Sequence, residues 1–391
     1  MLQSSHMQYD FLIIGSSGMQ GRIVSRDLLQ SGYRVALADM YREGSEKNMS
    51  DFPGTPFSFI DLRDYDTAAD FVKKTEPKVV VNCAEGDWNI EVYRMALAAG
   101  AHVLDLGSDI PNTKEQIAMH EQFKKAGLTA LTGCGSTPGV NNVMARYAVE
   151  SFKDVDTIEL GFAWDSNVKK FVVPFSMASI FEELTDPADV YENGVFVEKM
   201  PNATEEVREF REIGKQKCFF VRHPETFTMV EEYKHLGLKN LRFYAGFPDH
   251  ALEVLHKLIA LGMDGEDQLP YENIQLRPVD ALSRILTRLP RPENYTEKEN
   301  LWVEISGHDK EDGTKIMKME CIVVTVPDWL DAGCNIDTGL PCSIMAQMVL
   351  DGRIADRGSF APESVVPARD FFAELKKRGM TVFQDGVAVE V

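Results

Sequence analysis

Gly15, Gly18 and Gly21 follow directly on the apolar run Phe11-Leu-Ile-Ile14, and the stretch from Arg22 to Gln30 has a helical pattern. A buried strand that turns sharply through glycines into a helix aims backbone N–H groups and a helix N-terminus at one point, which suits a pyrophosphate. Gly18 lets the backbone approach the phosphates, and Gly21 lets the helix pack closely on the strand. The spacing is G-x-x-G-x-x-G, because Ser16 stands where the first glycine of the commoner fingerprint would be. Arg34-Val-Ala-Leu-Ala-Asp39 reads as the next strand and ends in a carboxylate. An acid there suits the ribose hydroxyls of NAD and repels the 2′-phosphate of NADP, or else it caps the strand. Arg42 close behind softens that preference, so NAD is expected and NADP is possible. Gly15, Ser17, Gly18, Met19, Gln20, Gly21 and Asp39 are the residues expected against this end of the dinucleotide.

In an open parallel sheet the ligand lies at the carboxyl ends of the strands. Val79-Val-Val-Asn-Cys-Ala-Glu-Gly86 places Asn82, Cys83 and Ala84 at that rim, and His102-Val-Leu-Asp-Leu-Gly107 places Asp105 beside them. Thr132-Gly-Cys-Gly-Ser-Thr-Pro-Gly-Val-Asn-Asn142 opens a helix after the sixth strand. Its glycines let backbone pass near a ligand, Pro138 stiffens it and Asn141 or Asn142 caps the helix. Gly135 and Pro138 are therefore expected at the nicotinamide or the substrate, although a tight crossover between domains needs the same residues. Cys83 and Cys134 serve as nucleophiles only where positive charge lowers their pKa. Trp164, at a strand end, walls a pocket or belongs to the core.

The elements that hold these residues alternate. Strands at Phe11–Ile14, Val35–Ala38, Phe57–Ile60, Val79–Cys83, His102–Leu106 and Leu128–Leu131 enclose helical stretches at Thr67–Lys74, Ile90–Ala99 and Lys114–Lys125. That order gives a doubly wound α/β sheet of the Rossmann type over residues 9–140. Residues 141–335 read as an inserted α+β domain for substrate. It has a strand at Asp156–Trp164, helices at Ala251–Leu261 and Val279–Leu289, and a loop at Pro290-Arg-Pro292. A hairpin joins Leu301–Gly307 to Lys315–Val324 around Asp309–Gly313. Residues 336–391 carry helices at Leu340–Leu350 and Ala368–Arg378, packing back on the nucleotide domain, and a short strand at Thr381–Phe383.

Composition bounds the partners. The 391 residues carry a net charge of −20, which opposes nucleic acid and anionic membrane surfaces. No apolar run approaches the ~20 residues of a membrane span, and the polar start from Met1 to Gln8 looks partly like a cloning remnant. The six cysteines form no C-x-x-C pair and the eight histidines no H-x-x-x-H pair. A cytoplasmic protein without a metal site is expected.

Four segments carry a resemblance. Gly15-Ser-Ser-Gly-Met-Gln-Gly-Arg22, Val103-Leu-Asp-Leu-Gly107, Gly133 to Asn142, and Asn240-Leu-Arg-Phe-Tyr-Ala-Gly-Phe-Pro-Asp-His250 through Leu255 are similar to motifs of the saccharopine dehydrogenase family, and within it of the lysine 6-dehydrogenase branch. The closing segments from Gly339, Phe360 and Glu374 agree, while the stretch from Arg242 to His250 is longer than the family's.

The resemblance implies a homodimeric oxidoreductase that acts on a C–N bond of an amino acid such as lysine or saccharopine, by hydride transfer to nicotinamide. The alternatives are a carboxynorspermidine-type dehydrogenase, a thiol-dependent semialdehyde dehydrogenase resting on Cys134, and a non-catalytic dinucleotide sensor. Within that chemistry Asp105 binds the substrate ammonium or takes its proton, or else caps a helix or loop. Arg242 anchors a carboxylate through its planar fork or makes a surface ion pair. His250 shuttles a proton or only packs.

Overall fold

A computed structural model describes residues 8–41, 50–107, 109–272, 274–286, 288–289 and 292–391. Arg42, Pro290, Arg291 and Met1 to Met7, singled out in the sequence, lie outside the described residues. The chain begins as its pattern predicts, with β1 (Phe11–Ile14), α1 (Met19–Gln30), β2 (Val35–Asp39), β3 (Phe57–Phe59), α2 (Tyr65–Thr75), β4 (Val79–Asn82), α3 (Asn89–Ala99) and β5 (His102–Asp105). α4 (Ile110–Ala118), α5 (His120–Ala126), β6 (Thr129–Leu131) and α6 (Val140–Val149) follow. The single helix expected at Lys114–Lys125 is two, because Met119 leaves helical geometry (ψ 2°) and its N–H closes a tighter turn on the Gln116 carbonyl.

Every residue of β1 is buried because both faces of the sheet are covered. Phe11 and Ile13 face one core with Val79, Val81 and Leu104, while Leu12 and Ile14 face a second with Val80 and Val103.

The second sheet starts with β7 (Asp154–Ser166), α7 (Met177–Thr185), β8 (Ala188–Glu192), β9 (Val195–Lys199), β10 (Glu206–Phe210) and β11 (Gly214–Phe220). It continues with α8 (Glu225–Tyr233), β12 (Asn240–Phe247), α9 (Asp249–Ala260), the small pair β13 (Leu269–Tyr271) and β14 (Ile274–Leu276), α10 (Pro278–Leu286), β15 (Glu297–His308) and β16 (Thr314–Val324). Strands β8, β9 and β10 escape the sequence because charged residues fall on both of their faces, and β11 because Lys215, Gln216 and Lys217 interrupt its apolar run.

One face of this sheet, with Leu160, Phe162, Phe243, Leu301 and Val303, shares a core with the nucleotide domain. The opposite face carries a separate small core of Ala163, Phe210, Cys218, Tyr244 and Trp302.

The chain then returns through α11 (Ile336–Leu350), β17 (Gly358–Phe360), α12 (Pro362–Val365), α13 (Ala368–Lys377), β18 (Thr381–Gln384) and β19 (Val387–Ala388). β17 completes the first sheet in the parallel order β17-β6-β5-β4-β1-β2-β3, and β18 pairs with β16 at the edge of the second. α11 crosses α1 so closely that a Cβ on Gly339 would lie 2.5 Å from Ile23 Cγ2. Beside that crossing the Asp27 carboxylate accepts hydrogen bonds from Ser343, Gln347 and Arg378 at 2.6–3.0 Å. Two layers that are remote in sequence are thereby fixed to each other.

Candidate active site

The glycine turn has the geometry its spacing implies. Gly15 takes a φ of +75°, and a Cβ there would meet the Ala84 nitrogen at 2.5 Å. A Cβ on Gly21 would meet the Gly15 carbonyl oxygen at 2.2 Å. Gly18 differs, since its φ is −69° and the nearest atom to a Cβ would be 3.5 Å away. No side chain caps α1 and no acid stands in its first turn, so its positive end faces outward.

These residues fit a dinucleotide. Ser17 N–H donates to Asp39 Oδ2 at 2.9 Å and Tyr41 N–H to Asp39 Oδ1 at 3.0 Å, which fixes an acid at the ribose end of the turn. Met19 flanks the opening, 44% exposed. The Gln20 side chain instead donates to Asn335 Oδ1 at 3.4 Å, leaving its backbone amide for a phosphate.

At the neighbouring strand ends, Asn82 accepts from Ala84 N–H at 3.1 Å and donates to Asn89 at 2.7 Å, and Asn89 donates to the Gly107 carbonyl at 3.3 Å. Pro138 packs on Gly107 and Gly133, where Cβ atoms would meet its ring at 2.8 and 2.6 Å. Gly135 lies against Thr338 of α11, whose hydroxyl is 3.0 Å from that of Ser136.

Asp105 is placed differently from its expected role at the amine. It is 0% exposed. One carboxylate oxygen accepts from Gly107 N–H and Gly133 N–H at 2.7 and 3.0 Å, the other from Tyr93 Oη and Gln116 Nε2, both at 2.6 Å. Burial pushes its pKa up while these donors hold it down. Asp105 therefore clamps the loops after β5 and β6 through these donors.

Arg242 lies on the far face of the second sheet. Its neighbours Leu241 and Phe243 point into the shared core, so the alternation of β12 sends Arg242 to the other side. There it donates to Glu159 Oε1 at 2.9 Å, and Arg208 donates to Glu159 Oε2 at 2.7 Å. Arg242 is here the ion-pair partner of Glu159, the second of the two readings its sequence position offered. Arg242→Gln is accordingly expected to leave KM for any carboxyl-bearing substrate within about twofold, and to cost about 1–2 kcal/mol of stability in urea unfolding. A tenfold rise in KM would restore the anchor.

His250 stands in the first turn of α9 with Nε2 buried and, among the described residues, without a hydrogen-bond partner. Cys134 is 0% exposed, and burial with the Asp105 charge pushes its thiol far up. Cys83 is pushed up by the same two causes. Neither thiol has the electropositive setting that a thiolate nucleophile needs.

A group that the sequence reading missed sits where α11, β15 and α7 meet. The carboxyl groups of Glu299 and Asp337 lie within interaction distance; burial pushes both upward, with the Asp337 charge adding to it at Glu299 and the Glu297 charge at Asp337. Glu183 is pushed up to about 8 by burial, and its Oε2 has no hydrogen-bond partner among the described residues. Trp164 lies directly opposite Glu299 across the β7–β15 ladder, with its indole N–H also unpartnered. Among the described residues no Lys, Arg or His pairs with these three acids, and no three potential ligands are arranged to hold a metal ion. One signal was legible: Glu297 and Glu299 share the parity of the buried Leu301, Val303 and Ile305. Asp337 adjoins Thr338, which touches the Gly135–Ser136 loop, so the acids lie beside the rim of the nucleotide domain.

Residues 11–131 match the saccharopine dehydrogenase NADP binding domain, and residues 135–380 match the saccharopine dehydrogenase C-terminal domain. The chain is 26% identical over 330 residues to a carboxynorspermidine synthase of Vibrio alginolyticus, covering 79% of this chain and 78% of that protein. It is 26% identical over 318 residues to a carboxyaminopropylagmatine dehydrogenase of Synechocystis sp., covering 77% and 78%. Its fold is that of saccharopine dehydrogenase (L-Glu forming) from Saccharomyces cerevisiae, with a TM-score of 0.75 at 13% identity over 98% of this chain and 100% of the other.

Proposed function

This chain belongs to the saccharopine dehydrogenase family and has an NAD(P)-binding Rossmann domain, and from that premise we propose that it oxidises or forms a C–N bond in a carboxylated polyamine. The observation that carries the choice of substrate is the acid group Glu183, Glu299 and Asp337, which no cation balances among the described residues. Buried carboxylates without partners are costly, and ammonium groups of a ligand relieve that cost. A carboxylated polyamine brings several ammonium groups and one carboxylate. Saccharopine brings three carboxylates, which this group repels, and lysine only two amines. Two related proteins are named for carboxylated polyamines, in agreement with the charge argument.

When bound, the dinucleotide supplies the hydride acceptor or donor. The chain's own contribution is to orient and to compensate charge. The open end of α1 and the glycine turn hold the pyrophosphate, Asp39 faces the ribose, and the Gly133–Pro138 loop borders the reacting end. Carboxynorspermidine, saccharopine and lysine, each given to the purified chain with NAD or NADP at mildly alkaline pH, discriminate the readings. A kcat/KM at least 100-fold higher for carboxynorspermidine is expected. Equal or faster turnover of saccharopine sinks the polyamine assignment.

Glu183→Gln gives a second check. An acid whose folded pKa lies above its ordinary value binds more protons folded than unfolded, so its cost is absent at low pH and grows as pH rises from about 4.5 to about 8. The variant is expected to match the parent at pH 4 in urea unfolding and to be about 1–3 kcal/mol more stable at pH 9. Its KM for carboxynorspermidine should rise about tenfold, because one ammonium loses its counter-charge. An unchanged KM would place the substrate elsewhere.

A further inference from the structure

A second group at the same seam has no role in the account so far. Between β11 and α8 the chain runs Val221-Arg-His-Pro224, and His223 is held there by three independent contacts. Its Nδ1 lies 2.5 Å from Glu225 Oε2. Its ring stacks on Phe243 at 3.9 Å and 6°. Its carbonyl accepts from Thr226 Oγ1 at 2.7 Å and from Thr226 N–H at 3.1 Å. Position, plane and tautomer of the imidazole are all set.

The place matters as much as the posture. Phe243 belongs to the sheet face that packs towards the nucleotide domain. Pro224, the next residue, lines a cavity of about 10 Å³ together with Thr132, Gly133, Pro138 and Asn142. Lys114 of α4 lies over the ring of Phe227, which seats the start of α8 against the nucleotide domain. His223 therefore stands beside the loop after β6, at the half of the first sheet where the nicotinamide end of a dinucleotide falls.

Glu225 is 0% exposed and its Oε1 is buried without a partner, so this acid serves no other contact among the described residues. The His223 side chain keeps 13% exposure, and its Nε2 makes no hydrogen bond to the described residues. The other charged groups at this end are Arg222, paired with Asp186, and Glu182 of α7, which lies within the electrostatic reach of Arg222 and Asp87. A buried acid on one ring nitrogen and an open second nitrogen form the oriented base of an acid–base pair.

We infer that His223, oriented by Glu225, is the catalytic residue that exchanges a proton with the substrate nitrogen through Nε2. The inference rests on the C–N reading above. In the oxidative direction Nε2 takes a proton from the secondary ammonium, and the freed nitrogen pair forms the C=N bond as the C–H bond breaks and its hydride leaves to the bound nicotinamide dinucleotide, the oxidant. Water adds to the carbon, the C–N bond breaks, and the products are a carbonyl and a primary ammonium. The imidazolium returns its proton to solvent, so one proton is released per turnover.

The test uses the whole chain with saturating dinucleotide. His223→Gln is expected to lower kcat/KM about 100–1000-fold, with dinucleotide affinity unchanged within twofold by fluorescence titration. The acid limb of the wild-type pH profile should vanish in His223→Gln. Glu225→Gln should lower kcat/KM about 10–100-fold with dinucleotide affinity unchanged, since the ring loses the acid that orients it. A His223→Gln variant with turnover within threefold of wild type overturns the assignment.

A readout without turnover separates this inference from the choice of substrate. In the dinucleotide-loaded wild type, norspermidine titrated into the sample should shift the His223 ring resonance in NMR. If no carboxylated polyamine turns over, the polyamine reading fails while this titration still decides on His223. An unshifted resonance overturns the role of His223 under either result.

Discussion

Gly18→Ala is expected to leave the chain folded and to weaken dinucleotide binding about 10–100-fold, a loss of about 1.4–2.7 kcal/mol. The backbone of Gly18 is extended, with φ −69° and ψ 168°, which alanine adopts without strain. Among the described residues, its chain neighbours aside, the nearest atom to the added Cβ is the Gly15 carbonyl oxygen at 3.5 Å. Alanine caps a helix less well than glycine but loses less unfolded-state entropy, and the two effects largely cancel. What the methyl does meet is the space in front of α1, where a pyrophosphate must approach the N–H groups.

Gly21→Ala is expected to behave in the opposite way. Its Cβ would lie 2.2 Å from the Gly15 carbonyl oxygen and 2.7 Å from Ser16 Cα, both backbone atoms of the turn. α1 would have to move off β1, at about 2–4 kcal/mol. Urea unfolding together with fluorescence titration of NADH and NADPH distinguishes the pair. Unchanged affinity in Gly18→Ala would remove the pyrophosphate from this turn. The same titration reports on Asp39, whose charge should make NADH the tighter ligand.

Asp105→Ala carries the second large effect. Four donors at 2.6–3.0 Å and a fifth, Thr132 Oγ1, at 3.5 Å converge on this buried carboxylate, two of them backbone N–H groups that cannot turn away. Deleting the acceptor leaves Gly107 N–H, Gly133 N–H, Tyr93 Oη and Gln116 Nε2 without a partner in a dry site. At about 1–3 kcal/mol for each unsatisfied group, a loss of about 4 kcal/mol or more is expected. Asp105→Asn should cost about 2 kcal/mol, because its remaining oxygen can serve the two backbone donors while the amide faces Tyr93 and Gln116. Both variants should lower kcat by releasing the Gly133–Pro138 loop. A catalytic acid would instead show full stability with lost turnover, so unfolding curves beside kinetics decide between the clamp and the acid.

The nucleotide half of the molecule was legible because its signals are local. Apolar run, glycine turn, helix and terminal acid follow one another within residues 11–39, and each is enforced by neighbours in sequence. The hairpin of β15 and β16 was legible for the same reason, as was the return of α11 and α13 to the first domain.

The substrate half was not, because its residues are brought together by register and by packing between layers. Arg242 has the right chemistry for a carboxylate, but the alternation of β12 and its pairing with Glu159 send it to the far face. Asp105 stands at a strand end as expected, and only the folding of the Gly107 and Gly133 loops over it turns a candidate acid into a clamp. Glu183, Glu299 and Asp337 are far apart in the chain, and although the parity of β15 marks Glu299 as inward-facing, nothing local brings the other two to it. His223 and Glu225 are two residues apart, yet nothing local says that Phe243 stacks under the ring or that Pro224 meets the Gly133 loop. Sequence alone determined the cofactor and the fold class, since both rest on short-range backbone geometry. Tertiary structure decided which charges lie inside, because burial and pairing depend on which faces of two sheets meet.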